Sequence, residues 1–261
     1  MSHPDTTMPL TPRQSEIMSA ARRDGAASIS ALAATLGVSL ETVRRDIRPL
    51  VDDGHLIKMH GVVQVPERGR EAPFDRRMRE NATEKRMVAR HVAARISDGD
   101  SVMMDTGTTT SILARELIAK RKLTIVTNSS DVARTLATVN GNRVFMAGGE
   151  LHGDNGAAFG RTAVEFISRF RVRHAVISIG AIDPRIGPMD FLLEEAEFAR
   201  MALQCGETRI IATDHSKLGR TALVKVCDYS DFDLLVTDRA PPPAIAEALD
   251  AAGVACEVAA A

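Results

Sequence analysis

The chain has little cysteine, and what it has is scattered. Cys205, Cys227 and Cys256 are the only three in 261 residues, with no C-x-x-C pair. That excludes a disulfide framework and predicts reduced, mostly buried thiols in a cytoplasmic protein. The seven histidines show no H-x-x-x-H spacing, so a metal or redox sensor has no ligand set to build on, and His152 and Asp154 read as polar loop residues. No G-x-G-x-x-G follows a strand pattern, which argues against a dinucleotide; no cofactor is expected. No apolar run is long enough to cross a bilayer, and Met1 to Leu10 lack the basic start and apolar stretch of a signal peptide. No membrane partner is expected. Excess charge is missing too. A net charge of -1 does not draw the whole molecule to nucleic acid, so any DNA affinity must come from charge placed locally.

What is present is ordinary globular material, 44% hydrophobic and 26% charged, at a length that suits one small and one medium domain. Thr11-Pro12-Arg13-Gln14 opens a helix with a capping pair and a proline at the first helical position. Ile17, Met18 and Ala21 share one face before Gly25. Ser30 is the expected cap of a second helix that turns Leu32, Ala33 and Leu36 inward. Gly37-Val38 makes a tight turn, and Ser39 caps a third helix, Leu40 to Asp53, closed by Gly54. Val43, Ile47, Leu50 and Val51 form its apolar face.

Short helices joined by a glycine turn are the helix-turn-helix pattern. The front of the third helix then presents Glu41, Thr42, Arg44 and Arg45 to the major groove, where arginine can bond twice to a guanine edge. An arginine pair elsewhere would be a solvated helix face. The segment His55 to Val65 reads as a hairpin with Gly61 in its bend, a wing from which Lys58 and His60 can reach phosphates; solvation is the competing reading for each. Candidate DNA contacts are therefore Ser39, Glu41, Thr42, Arg44, Arg45, Lys58 and His60.

The string Val38-Ser39-Leu40-Glu41-Thr42-Val43-Arg44-Arg45-Asp46-Ile47, followed by Leu50, Gly54, Leu56 and His60-Gly61, resembles the DeoR family of bacterial regulators. Two departures stand out. Pro49 inside the third helix is expected to kink or shorten it, and Val62 stands where relatives usually carry a second glycine. The domains expected are a winged helix-turn-helix over 10–66, a basic linker over 67–82 and an α/β effector-sensing domain over 83–261.

In that last domain strands and helices alternate. Strands are expected at Ser101–Met104, Leu123–Thr127, Arg143–Met146, His174–Ser178, Arg209–Ala212 and Leu234–Val236, with helices between them, including Ser111–Ala119. A helix with Thr83 as its cap precedes them. Alternation of this kind predicts a mainly parallel sheet covered by helices, with ligands bound at the carboxyl ends of the strands. The leading candidate is Asp105-Thr106-Gly107-Thr108-Thr109-Thr110, where Gly107 permits a tight turn and the following amides favour an anion. The same residues also suit an ordinary turn or helix cap. Effector candidates are Asp105, Gly107, Thr108, Thr109, Thr127, Asn128, Gly148, Gly149, Asp183 and Lys217. For Asp183 and Lys217 structural ion pairing is the rival reading.

These motifs also resemble the sensor half of the DeoR family, which is similar in fold to ribose-5-phosphate isomerase and binds phosphorylated sugars or related metabolites. Ala147 to Glu150, Glu165 to Arg171 and Asp214 to Arg220 resemble the glycerol-3-phosphate repressor group within it. Met189 to Glu195 matches that group only in part, and its acidic residues, Asp190 and Glu194 among them, suit sugar hydroxyls or a solvated helix start. The resemblance implies a transcriptional regulator, a repressor of sugar or polyol catabolism genes. Its partners would be operator DNA, a phosphorylated sugar, sugar acid or glycerol-3-phosphate effector, and further copies of itself. An isomerase with an accessory DNA-binding domain is the enzymatic rival. It would cast Asp183 and Lys217 as base and acid, but a Gly-rich, Lys-bearing isomerase loop is not recognisable, so no enzyme activity is expected.

Overall fold

A computed structural model describes residues 11–24, 26–52, 56–59, 61–64 and 71–260. The chain divides into two compact units, 1–72 and 73–261.

The smaller unit runs α1 (Pro12–Asp24), β1 (Ala26–Ser28), α2 (Ile29–Leu36), α3 (Leu40–Asp52), β2 (Ile57–Met59) and β3 (Val62–Gln64). Thr11 and Gln14 form the reciprocal cap of α1, with Gln14 N bonded to Thr11 Oγ1 and Thr11 N to Gln14 Oε1. The cap of α2 is Ser28 rather than Ser30: its Oγ accepts the Ala31 amide at 3.0 Å. The reason is β1, which pairs antiparallel with β3 and ends on Ser28, so the helix can begin at once. Gly37 adopts φ 63° between α2 and α3, a left-handed turn that favours glycine. Pro49 does not shorten α3, which continues to Asp52. Its ring lies on the exposed side, where water can take the carbonyl that proline leaves unbonded. Ile17, Leu32, Val43, Ile47, Leu50, Leu56 and Val63 form one buried core, joining all three helices to the wing. Gly25, Gly54, His60 and the segment 65–70 lie outside the described residues.

The larger unit runs α4 (Phe74–Arg77), α5 (Ala82–Ala94), β4 (Ser101–Met104), α6 (Thr108–Glu116), β5 (Thr124–Thr127), α7 (Ser130–Leu136) and β6 (Arg143–Met146). It continues with α8 (Arg161–Ile167), β7 (Val172–Ile177), β8 (Ala181–Asp183), β9 (Gly187–Asp190), α9 (Leu193–Gln204) and β10 (Gly206–Ala212). Last come β11 (Val224–Lys225), β12 (Leu234–Thr237), α10 (Pro243–Ala252) and β13 (Ala255–Val258). Asn81, not Thr83, stands immediately before α5, and α6 begins at Thr108 rather than Ser111.

Among the described residues seven strands pair in the order β13-β12-β10-β7-β4-β5-β6, every pair parallel. Side chains alternate between two cores. Met103, Val126, Ile177, Ile211 and Leu235 pack with α8, α9 and α10. Val102, Met104, Ile125, Val176 and Ile210 pack with α5, α6 and α7. Burial on both faces explains why these strands read as continuous apolar runs. A small antiparallel sheet, β11-β9-β8, was not foreseen; its strands are too short to show alternation.

Candidate functional site

The first site is the exposed front of α3. Ser39, Glu41, Thr42, Arg44, Arg45, Arg48 and Lys58 line a groove of about 710 Å³. Ser39 is the cap of the helix: its Oγ accepts the Thr42 amide at 3.1 Å and sits 2.9 Å from Thr42 Oγ1. Arg44 reaches Glu41 only at 3.5 Å, with both side chains largely exposed, a pair too solvated to hold the arginine away from a phosphate or base. Asp46 has a different task. It pairs with Arg13, and its carbonyl accepts Gln14 Nε2 at 3.3 Å, which fixes α3 against α1. Arg48 was missed in the sequence, although it lies three and four residues beyond Arg45 and Arg44 and so shares their face.

The second site is the carboxyl edge of the parallel sheet. After β6 the chain crosses back and lays β7 on the other side of β4, so the switch in strand order falls between β4 and β7, where such sheets leave a crevice. Asp105 follows β4 and Ser178 follows β7. The Ser178 amide donates to both Asp105 carboxylate oxygens, at 3.1 and 3.0 Å. Burial pushes the Asp105 carboxyl well above the usual carboxylate range; the Ser178 amide opposes this, and the nearby Glu195 charge adds to it.

Gly107 is needed for a reason other than a tight turn. Its φ is -179°, extended backbone open to any residue, but a Cβ there would lie 1.8 Å from Ser178 Oγ and 2.9 Å from Ser178 Cβ. With Gly107 in the cap position, no side chain covers the first amides of α6. Thr108 and Thr109 are buried in that first turn. Thr110 Oγ1 is spent on the backbone, donating to the Asp105 and Gly107 carbonyls at 3.1 Å each. Thr106 Oγ1 and Asn128 Oδ1 are buried and have no hydrogen-bond partner among the described residues.

The other candidates separate by role. Thr127 Oγ1 accepts the Ser129 amide, and Asn128 Nδ2 donates to the Ala158 carbonyl, so this strand end holds the loop 151–159 down. Gly148 and Gly149 follow β6, the neighbour of β5, with Gly149 at φ 151°. Lys217 ends a short 3₁₀ turn capped by Asp214, which accepts the Ser216 amide at 3.0 Å. Asp183 ends β8, whose Ile182 carbonyl accepts the Gly219 amide just beyond Lys217. It accepts the Arg185 and Ile186 amides and the Thr221 hydroxyl, bonds that hold its carboxyl below the ordinary value and make it a turn-former. Asp190 on β9 accepts the Gly180 amide at 2.7 Å. Glu195 receives Asn155 Nδ2 at 3.3 Å. Neither Ser178 nor Asn155 carried a signal in the sequence.

Both units have counterparts in known proteins. The DeoR-like helix-turn-helix domain matches residues 13–68, and the DeoR C-terminal sensor domain matches residues 80–239. The chain belongs to the DeoR family. Its relatives include the glycerol-3-phosphate regulon repressor of Escherichia coli K12, 31% identical over 93% of this chain and 96% of that one. The HTH-type transcriptional repressor CsqR of the same organism is 32% identical over 90% of each. A solved ribose 5-phosphate isomerase from Methanocaldococcus jannaschii covers 53% of this chain and 55% of its own at 13% identity, with a TM-score of 0.40, too loose a likeness to carry an argument. The DeoR-family chain is thus a DNA-binding regulator joined to a sensor, and its family is one of transcriptional repressors rather than enzymes. Among the described residues no helix is long and apolar enough to cross a membrane.

Proposed function

We propose that this chain represses genes of sugar or polyol catabolism in the cytoplasm, and releases its operator when a phosphorylated metabolite fills the carboxyl edge of the sheet. Residues 10–66 serve as the reading head, 67–82 as the connection and 83–261 as the sensor. Arg44, Arg45, Arg48 and Lys58 contact DNA, with Ser39 and Thr42 fixing the helix front and Glu41 exposed beside them. The observation that supports the sensor reading is the uncovered first turn of α6 at the switch between β4 and β7, because unsatisfied amides there favour an anion. Thr108 and Thr109 line that turn, Lys217 supplies a point charge from the loop after β10, the strand beyond β7, and Asp105 holds the loop. Glycerol-3-phosphate, sugar phosphates and phosphorylated sugar acids are the effector class. The repressor acts as a dimer or larger symmetric oligomer, since one such helix reads only a few base pairs.

A thermal-shift screen across glycerol-3-phosphate, sugar phosphates and sugar acids tests the sensor. A ligand at one hundred times its Kd adds about 2.7 kcal/mol of stability. No shift with any phosphorylated compound, at concentrations up to tens of millimolar, would overturn the assignment.

A further inference from the structure

Residues 73–85 open the larger unit, directly after the smaller unit ends at Ala72, and the loops of the carboxyl sheet edge hold them at two points. At the first, the Phe74 amide donates to both oxygens of Asp154, at 3.2 and 3.1 Å, and the Phe74 ring is buried. Asp154 belongs to the loop that follows β6. Its neighbour Asn155 bonds to Glu195, whose charge acts on Asp105. The same loop therefore meets the effector candidate Asn128 through Ala158, whose carbonyl accepts Asn128 Nδ2 at 3.0 Å, and the segment 73–85 through Asp154.

At the second point, Asn81 Nδ2 donates to Asp214 Oδ1 at 2.9 Å. That same Asp214 oxygen accepts the Ser216 amide and so shapes the turn carrying Lys217. The Asn81 side chain makes no capping bond to α5 although it stands at the cap position, and the residue adopts φ 50°, a conformation that side-chain-bearing residues rarely take. Its side chain serves the sheet edge instead of its own helix. Lys85, beyond the second point and 3% exposed, reaches back to donate to the Arg77 and Glu80 carbonyls between the two points, at 2.5 and 2.9 Å, closing the segment on itself. A buried lysine tying backbone turns together makes a stiff piece rather than a slack tether.

We propose that residues 73–85 transmit the state of the sheet edge to the DNA-binding unit, with Asp154–Phe74 and Asp214–Asn81 as its two couplings. Neither bond touches DNA, and Asp154 and Asn81 contact no candidate effector group. Their role is to fix how rigidly the sensor holds the chain that continues into the reading head. The proposal rests on the reading of the smaller unit as an operator-binding head, but needs no effector to be tested.

The experiment uses the full chain without ligand and a DNA duplex that it selects from a random pool. Asn81→Gly removes the side-chain bond while tolerating the left-handed backbone; Asp154→Ala removes the Phe74 acceptor. Glu150→Ala, exposed on the same loop, is the control. Each single variant is expected to weaken duplex binding at least threefold and the double variant at least tenfold. Amide exchange across 73–85 should speed up at least tenfold in the double variant, and the control should match wild type throughout. If exchange speeds up while duplex binding stays within twofold of wild type in both single variants, the segment is structural padding and the proposal falls. If the wild-type chain selects no duplex, the head reading fails and takes this proposal with it. Should the double variant not fold, the single variants decide.

Discussion

The Ser178 amide and the Asp105 carboxylate join the ends of β7 and β4, and Ser178 Oγ occupies the space that a side chain on Gly107 would need. The two strands are adjacent in the sheet but far apart in sequence, so the contact exists only when the switch in strand order has formed. Gly107→Ala should therefore act as an overpacking lesion. We expect a loss of about 3 kcal/mol, the upper end for such insertions, seen as a melting decrease of roughly 6–12 °C. Adding Ser178→Gly removes both close atoms and should restore most of the loss. A single Gly107→Ala variant that melts like wild type would contradict the geometry.

Asp105 gives stability a pH dependence with a definite sign. Folded Asp105 holds its proton more tightly than the unfolded chain, whose ordinary value is 3.8. Its contribution is fully present below that value and declines as pH rises through the window up to the raised folded value. Asp105→Asn cannot ionise and keeps an oxygen for the Ser178 amide. The melting temperature of the variant minus that of wild type should therefore increase with pH from 4 upward. A difference that stays constant from pH 4 to 8 would refute the buried, proton-holding carboxyl.

For the effector, Thr108→Ala removes one hydroxyl from the first turn of α6 without touching the Thr110 bonds that hold the loop. A hydrogen bond to a charged group contributes about 1.5–3 kcal/mol, so the Kd for the effector found by the screen should rise about tenfold or more. Circular dichroism, melting and effector-free operator binding should stay near wild type. If that folded variant still releases DNA at the wild-type effector concentration, the phosphate binds elsewhere.

On the DNA side, Arg44→Ala and Arg45→Ala should each cost roughly 1–3 kcal/mol of operator binding where the arginine reads a base, with relaxed specificity at one position. Arg48, one turn further along the same face, is expected to meet a phosphate. Arg48→Ala should weaken all sequences alike and lower the salt slope of binding by about one. Gel shifts at several salt concentrations separate these outcomes, and unchanged binding in all three variants would exclude α3 as the reading helix.

The thiols offer a check on the larger unit. Cys256 is exposed on β13, whereas Cys205 and Cys227 are buried, and burial pushes the Cys227 thiol up to about 12. A disulfide reagent at pH 8 should titrate one thiol in the native protein and three after denaturation. Rapid reaction of Cys227 in the native state would show the packing around it to be wrong.

How much of this was legible in the sequence depended on range. The head is written in local signals: the Thr11–Gln14 cap, the Gly37 turn and the apolar faces of α1 and α3 each lie within a few residues. Even there, Ser28 displaced Ser30 as a cap because β1 pairs with β3, a contact made across the unit. The parallel sheet was legible from alternating elements, and the Asp105–Thr110 loop from its place after a strand. The reason for Gly107 was not, because Ser178 becomes its neighbour only through strand order. Asn81 and Asp214, 133 residues apart, could not be paired from composition or period. Asp183 sits in a strand-end string that looked like a ligand loop, yet both its oxygens are occupied by its own turn and by Thr221.

A chain leaving the ribosome meets the strand order of the larger unit as a delay. β4 is the first strand of that sheet to be made, but one of its sides stays open until Val172–Ile177 arrives, and the outermost strand is completed only at Ala255–Val258. The head closes its core with residues that end at Val63. Local contacts form fast and distant strand pairs slowly, and domains mature in order of synthesis. For much of its birth each molecule therefore carries a closed smaller unit attached to an open sheet. A message cut short inside the larger unit would still encode every residue of the smaller unit's core.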